Sequence, residues 1–153
     1  MKNTIAVILA RGGSKGIPNK NIKIFNGLPL VAWSVIQAKI SKKISRIYLS
    51  SDSNKILNIG KKYGAVPIKR PKKISGDKSR SESAILHLLN KINYVPDGVV
   101  MLEPTAPLRS PKDIDNCITN FYFNKLDTGF TGAILEDFLI WKKNKKSKLF
   151  PIN

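Results

Sequence analysis

At 153 residues, with 42% hydrophobic and 24% charged residues, the chain has the size and make-up of one globular domain with a real core. Its 27 Lys and Arg against 10 Asp and Glu give a net charge of +17, which fits an anionic partner (nucleic acid, a membrane surface or a small anionic substrate) and fits equally a general lysine-rich composition without a dedicated partner. One cysteine excludes an internal disulfide, no apolar run approaches a membrane span, and the Met-Lys-Asn-Thr start has no signal-peptide layout, so a cytoplasmic protein without membrane contact is expected. The lysines are scattered from Lys2 to Lys148 with no basic motif interleaved with aromatics, which argues against a dedicated nucleic-acid role.

Six apolar residues, Ile5 to Ala10, are too few for a lone buried helix and suit a central parallel strand. The chain leaves them into Arg11-Gly12-Gly13-Ser14-Lys15-Gly16. Glycines there permit backbone conformations closed to other residues and let main-chain N–H groups approach an anion, while Arg11, Lys15 and Lys20 supply positive charge. A loop of this kind after a first strand reads as a polyphosphate cradle. It is neither the Walker loop, whose Gly-x4-Gly-Lys-Ser/Thr spacing is absent, nor the Gly-x-Gly-x-x-Gly dinucleotide fingerprint.

Ile22 to Phe25 alternates, and Asn26-Gly27 signals a turn. Pro29 opens a helix with Leu30, Val31, Trp33, Ser34, Ile36, Gln37 and Ile40 at near-helical spacing, where Trp33 is expected to pack in the core rather than stack on a ligand. Arg46 to Ser51 is a second strand; Asp52-Ser53 caps a helix that Gly64 ends. Ala65 to Ile68 is a third strand, closed by Arg70-Pro71, and a polar loop with Gly76-Asp77 follows. Ser81-Glu82 opens a helix with Ile85, Leu86, Leu88, Leu89 and Ile92 on its apolar face; His87 on this helix is expected to be a packing residue.

Asp97-Gly98 turns into a fourth buried strand, Val99 to Leu102, followed by the proline-stiffened loop Glu103-Pro104-Thr105-Ala106-Pro107-Leu108-Arg109. Ser110-Pro111-Lys112-Asp113 has the form of a helix cap, starting a helix to about Phe123 on which Cys117 should be a buried, inert thiol. Thr128 to Ile134 reads as a fifth strand. The remainder, with Trp141 and lysines at 142, 143, 145, 146 and 148, reads as a β-hairpin.

The β-α alternation implies a mostly parallel sheet covered by helices on both faces, an α/β fold. In such sheets ligands bind beyond the carboxyl ends of the strands, and every polar loop above lies at one. Asn21 carries both a donor and an acceptor suited to a base edge or a ribose hydroxyl. Ser79, Ser81 and Ser83 fit helix capping and nucleotide contact equally, and Asp77 fits a turn or the nucleotide site. There is no nucleophile–base pair of the hydrolase type, and one Cys with one His excludes a zinc site within these residues. What remains is polyphosphate chemistry by positioning and charge neutralisation.

The wording Leu-Ala-Arg-Gly-Gly-Ser-Lys-Gly-Ile-Pro-Asn-Lys-Asn at Leu9–Asn21 resembles the opening signature of the acylneuraminate cytidylyltransferases, which join nonulosonic acids to CMP. Ser50-Ser51-Asp52-Ser53, the run from Tyr63 through Arg70-Pro71 with Asp77, and Leu102 to Arg109 resemble further motifs of that family. The resemblance implies a Rossmann-like three-layer α/β/α nucleotidyltransferase domain spanning residues 1–153, with the C-terminal part of the family domain missing. It implies catalytic roles for Arg11 and Lys20. A nucleotide site would be formed by Arg11, Gly12, Gly13, Ser14, Lys15, Lys20, Asn21, Arg70, Ser79 and Ser81, and a sugar site by Glu103 and Thr105. CTP, an acidic nine-carbon sugar, Mg²⁺ and a homodimer are implied in the same way, with the family's metal-binding aspartates expected beyond residue 153. Glu103 departs from the Gln usual in the family, and a carboxylate there would repel an acidic sugar. A Kdo or sugar 1-phosphate nucleotidyltransferase, and a non-catalytic nucleotide-binding remnant, are the alternative readings.

Overall fold

The computed structural model describes residues 2–132, 140–143 and 149–152. Four strands form one parallel sheet in the order β5-β4-β1-β6: β1 (Thr4–Leu9), β4 (Arg46–Ser51), β5 (Val66–Lys69) and β6 (Gly98–Leu102). β1 is central because it is apolar on both faces. Ile5, Ala6, Val7 and Ile8 are all fully buried, with Ile5 paired to Arg46 on one side and to Val99 on the other.

The two-residue period of β1 divides the core between the faces. Ala6, Ile8 and Ala10 join Val31, Val35, Leu49, Ile56 and Ile114 under α1 (Leu30–Ile40), α2 (Asn54–Tyr63) and α4 (Pro111–Phe123). Ile5 and Val7 join Tyr48 and Leu88 under α3 (Ser81–Leu89) on the opposite face. The three-layer α/β/α arrangement is therefore present.

Several elements follow directly from local chemistry. Asn26 and Gly27 both adopt positive φ (45° and 80°), closing the small hairpin of β2 (Ile24–Phe25) and β3 (Leu28–Pro29). Gly64, at φ 110°, terminates α2. Ser110 and Asp113 form a reciprocal capping box with Pro111 in the first turn of α4. β7 (Ile140–Lys143) and β8 (Leu149–Ile152) pair antiparallel as the expected terminal hairpin, whose tip lies outside the described residues.

Other expectations are corrected. Thr128 to Gly132 form no strand, and the last two residues of that expected strand lie outside the described residues. Ile92 lies beyond the end of α3. The buried stripe of α1 is Val31, Ala32, Ser34, Val35, Gln37 and Ala38; Ile40 is exposed and Trp33 is only half-buried. The indole of Trp33 donates instead to the Phe25 carbonyl (2.8 Å), pinning the β2–β3 hairpin to α1. Cys117 is likewise half-buried rather than enclosed.

Candidate nucleotide site

The chain runs outward from β1 to β4 and β5, then returns to the other side of β1 as β6. This reversal opens a crevice at the carboxyl ends of β1 and β6, the position where doubly wound sheets take ligands. A cleft of about 460 Å³ lies there. Ten of the residues expected from sequence line it: Arg11, Ser14, Lys15, Lys20, Asn21, Arg70, Ser79, Ser81, Glu103 and Thr105. Gly12 and Gly13 are not among its lining residues.

The glycine loop works differently from the expectation. Neither Gly12, Gly13 nor Gly16 has positive φ. Gly12 is the closely packed one, since a Cβ would stand 3.1 Å from the Ser53 Cβ and press on it, whereas a Cβ at Gly13 or Gly16 would meet nothing within 4 Å. The loop is held from below by two contacts. Asp52 accepts the Gly12 N–H at 2.8 Å, and the Asn21 amide donates to the Arg11 carbonyl at 2.9 Å. Asp52 is thus a brace for the loop and not the cap of α2, where Ser53 takes the N-cap position without a side-chain bond. Asn21, buried, spends one donor on the loop and keeps its carbonyl oxygen and second N–H.

Charge is concentrated on the walls. Arg11 and Lys15 both pair with Asp77, Lys15 at 2.6 Å, and the two cations together hold the Asp77 carboxyl below the usual carboxylate range, the Lys15 hydrogen bond most strongly. Arg70 is the unusual member. Only 6% exposed, it has no acidic ion-pair partner among the described residues, and its Nε is buried without a hydrogen-bond partner. Burial pushes its pKa down; Asp52 opposes that and Arg11 adds to it. A buried guanidinium donor left unpaired is costly, and Arg70 carries its charge to the wall of the cleft.

The serines divide between roles. Ser79 accepts the Gly76 N–H (3.0 Å), closing a tight turn, and Ser81 is the first residue of α3. Arg80 occupies the N-cap of α3, and no side-chain bond caps that helix, so capping does not account for these serines. His87 is half-buried on α3; its Nδ1 is buried without a partner, and burial, with Lys91 and Arg70, lowers its pKa.

On the β6 side, Thr105 Oγ1 donates to the Glu103 carboxylate at 3.4 Å. The loop carrying both is braced by side chains that sequence reading had placed on a packing stripe or left without a role. Arg109 donates to Gln37 Oε1 (3.2 Å), Ser34 Oγ (2.8 Å) and the Glu103 carbonyl (3.2 Å), while Gln37 donates to the Pro107 carbonyl (2.6 Å). Burial lowers the pKa of Arg109 and the Glu103 charge opposes it. Two polar residues, Ser34 and Gln37, on the buried face of α1 were the available signal. Among the described residues no group of three or more His, Cys, Asp or Glu side chains is arranged to hold a metal.

Comparison with known proteins identifies the family. The chain matches the cytidylyltransferase family over residues 5–137. It is 40% identical to a pseudaminic acid cytidylyltransferase of Campylobacter jejuni over 82% of this chain and 55% of that protein. It is 33% identical to N-acylneuraminate cytidylyltransferase A of Danio rerio over 92% of this chain and 32% of that protein. The chain therefore spans about half or less of the length of these relatives. Among solved structures, CMP:2-keto-3-deoxy-manno-octonic acid synthetase complexed with CTP superposes with a TM-score of 0.69 at 17% identity, covering 80% of this chain and 48% of that one, a likeness of fold. With the family match spanning most of its length, the chain belongs to the cytidylyltransferase family.

Proposed function

We propose that this chain is the nucleotide-binding part of an enzyme that transfers CMP from CTP to a nonulosonic acid and releases pyrophosphate. The observation that carries the reading is the gathering of Arg11, Lys15, Lys20 and the buried Arg70 on one cleft at the carboxyl ends of β1 and β6. In this reading Arg11, Lys15 and Lys20 take the triphosphate charge, Arg11 and Lys20 acting where negative charge grows on the departing pyrophosphate. Ser14 follows the same phosphates, while the Gly12 N–H stays with Asp52 and holds the loop in place. Asn21, Arg70, Ser79 and Ser81 orient the cytidine.

The sugar enters beside Glu103 and Thr105. Its anomeric hydroxyl oxygen attacks the α-phosphorus, that oxygen loses its proton, and the bond to the β-phosphate oxygen breaks. Relatives named for pseudaminic acid, N,N'-diacetyllegionaminic acid and N-acylneuraminate support an acidic nine-carbon sugar as the substrate class. Glu103 bears on that choice, because its carboxylate disfavours a sugar carboxylate at close range unless a cation lies between them.

Mg²⁺ enters this reading with the nucleotide, since it is a hard cation bound largely by phosphate oxygens. The described residues do not form a site for it on their own: the Asp77 carboxylate is taken up by two cations, and no third carboxylate or imidazole completes a set. The reading places the intact enzyme with CTP in the cytoplasm, as a homodimer, which light scattering of the full-length protein would check. No helix among the described residues is long and apolar enough to cross a membrane.

Pyrophosphate release from CTP, assayed with full-length protein, Mg²⁺ and either pseudaminate or N-acetylneuraminate, tests the proposal. Turnover with one of them is expected. Turnover only with Kdo or a sugar 1-phosphate would replace the substrate class, and CTP binding without any turnover would favour a nucleotide-binding remnant.

A further inference from the structure

Asp77 sets a carboxylate against the phosphate-binding wall of the cleft, and its placement is specific. It sits at the tip of a tight turn in which the Gly76 N–H donates to Ser79 Oγ and the Ser79 N–H to the Gly76 carbonyl. The base of that turn is fixed by buried Ser75, whose hydroxyl donates to the Pro71 carbonyl at 2.9 Å. The turn therefore aims one carboxylate across the cleft. Its two oxygens divide between two cations on the opposite wall, Oδ1 to Arg11 and Oδ2 to Lys15. These contacts join residues 62 to 66 positions apart and are the ion pairs found among the described residues.

Arg11 and Lys15 are also the cations that a triphosphate entering from the mouth would meet. A carboxylate held by both occupies their charge and hydrogen-bonding directions, as a phosphate group would. Resting on the reading that this cleft takes a triphosphate, we propose that Asp77 is a resident counter-ion: it occupies the phosphate position in the empty cleft and must be displaced when the ligand binds. Arg11 and Lys15 pass from one carboxylate charge to several phosphate charges, which drives the exchange. The released carboxylate, repelled by the phosphates, rotates away from them while its turn stays in place. Asp77 thereby sets the affinity for the ligand and keeps the two walls together in its absence.

The contacts are partly solvated, with the Lys15 side chain 82% exposed, so each is of modest strength and sensitive to salt. Replacing Asp77 by Asn keeps the size of the side chain and removes the competing charge. The test is calorimetric titration of this chain and its Asp77→Asn and Asp77→Ser variants with inorganic tripolyphosphate and with CTP, without divalent metal, at low salt. Both variants are expected to bind tripolyphosphate and CTP about three- to tenfold more tightly than the parent, the gain shrinking as salt rises. Equal or weaker tripolyphosphate binding by both variants, or no binding by any form, would overturn the proposal. Tighter tripolyphosphate binding by the variants with no CTP binding by any form would leave the counter-ion role standing and remove the cytidylyltransferase reading. A matched thermal melt separates the effect from misfolding: if only one variant melts normally, its titration decides.

Discussion

Replacing Arg70 by Met separates a ligand-binding arginine from a structural one. The guanidinium is 6% exposed, with its Nε unpaired and no acidic ion-pair partner among the described residues. In the ligand-free protein it is therefore a cost of the fold, partly offset by the charge of Asp52. Met keeps most of the stem's packing and removes the buried charge, a type of exchange that is neutral to stabilising when the volume is matched. Ligand-free stability should change by between zero and about +2 kcal/mol, a melting shift of up to roughly 8 °C for a chain of this size. Ligand binding should move the opposite way. One hydrogen bond to a charged group contributes about 1.5–3 kcal/mol, so CTP should bind roughly 10- to 100-fold more weakly. Calorimetric titration with CTP and urea unfolding of the same preparations measure both arms. If Arg70→Met lowers ligand-free stability by 2 kcal/mol or more while CTP affinity is unchanged, Arg70 is a structural residue and the argument from its unpaired Nε is wrong.

The brace under the Glu103–Arg109 loop gives a second prediction. Gln37→Leu removes the bond to Pro107 and leaves Arg109 without one acceptor, which should cost about 1–3 kcal/mol in urea unfolding. It should also speed amide exchange at Ala106, whose N–H donates to the Glu103 carbonyl; unchanged exchange would show that the loop does not depend on α1. Ser110→Ala breaks the capping box of α4 and should cost about 0.5–2 kcal/mol, with Ser110→Asn close to the parent; equal stability of all three would remove the cap's role. Acid sensitivity follows from the depressed carboxyls. The Ser110 backbone N–H and then its hydroxyl lower Asp113; burial raises Asp115, but hydrogen bonds from Ser41, Lys42 and Lys43 outweigh it. Their folded pKa values lie below the unfolded ones, so the unfolded chain binds more protons in the window between them. This stability is complete above the unfolded carboxyl value of about 4 and is lost as pH falls through the folded values. Urea midpoints from pH 7 to 2.5 should be level at first and then drop, the drop being smaller in Asp115→Asn; a flat profile would contradict the assignment.

The parts of the fold that were legible in the sequence are those specified locally. Ile5 to Ala10 suits a strand buried on both faces, and β1 runs over Thr4–Leu9, while Asn26-Gly27, Gly64 and Ser110-Pro111-Lys112-Asp113 each carry the chemistry of their turn or cap. The cleft was legible because a parallel sheet brings the loops after its strands to one end, whatever their distance along the chain. Contacts depending on which loop faces which were not. Asp52 reads as a cap because it precedes a helix, yet it serves Gly12, 40 residues away. Thr128 to Ile134 has strand-like residues, yet Thr128 to Gly132 pair with no strand among the described residues, and β-propensity without pairing makes no sheet. Trp33 lies one residue off the buried stripe, and its polar N–H decides its place by reaching the Phe25 carbonyl.

Mapping CTP onto the amide resonances of this chain tests the central claim most directly. The account predicts saturable, salt-dependent shifts concentrated at Gly12, Gly13, Ser14, Asn21, Arg70, Ser79 and Ser81, with the Arg70 Nε–H moving to a bonded position. Shifts confined to lysines away from the cleft, or none at millimolar CTP, would contradict it.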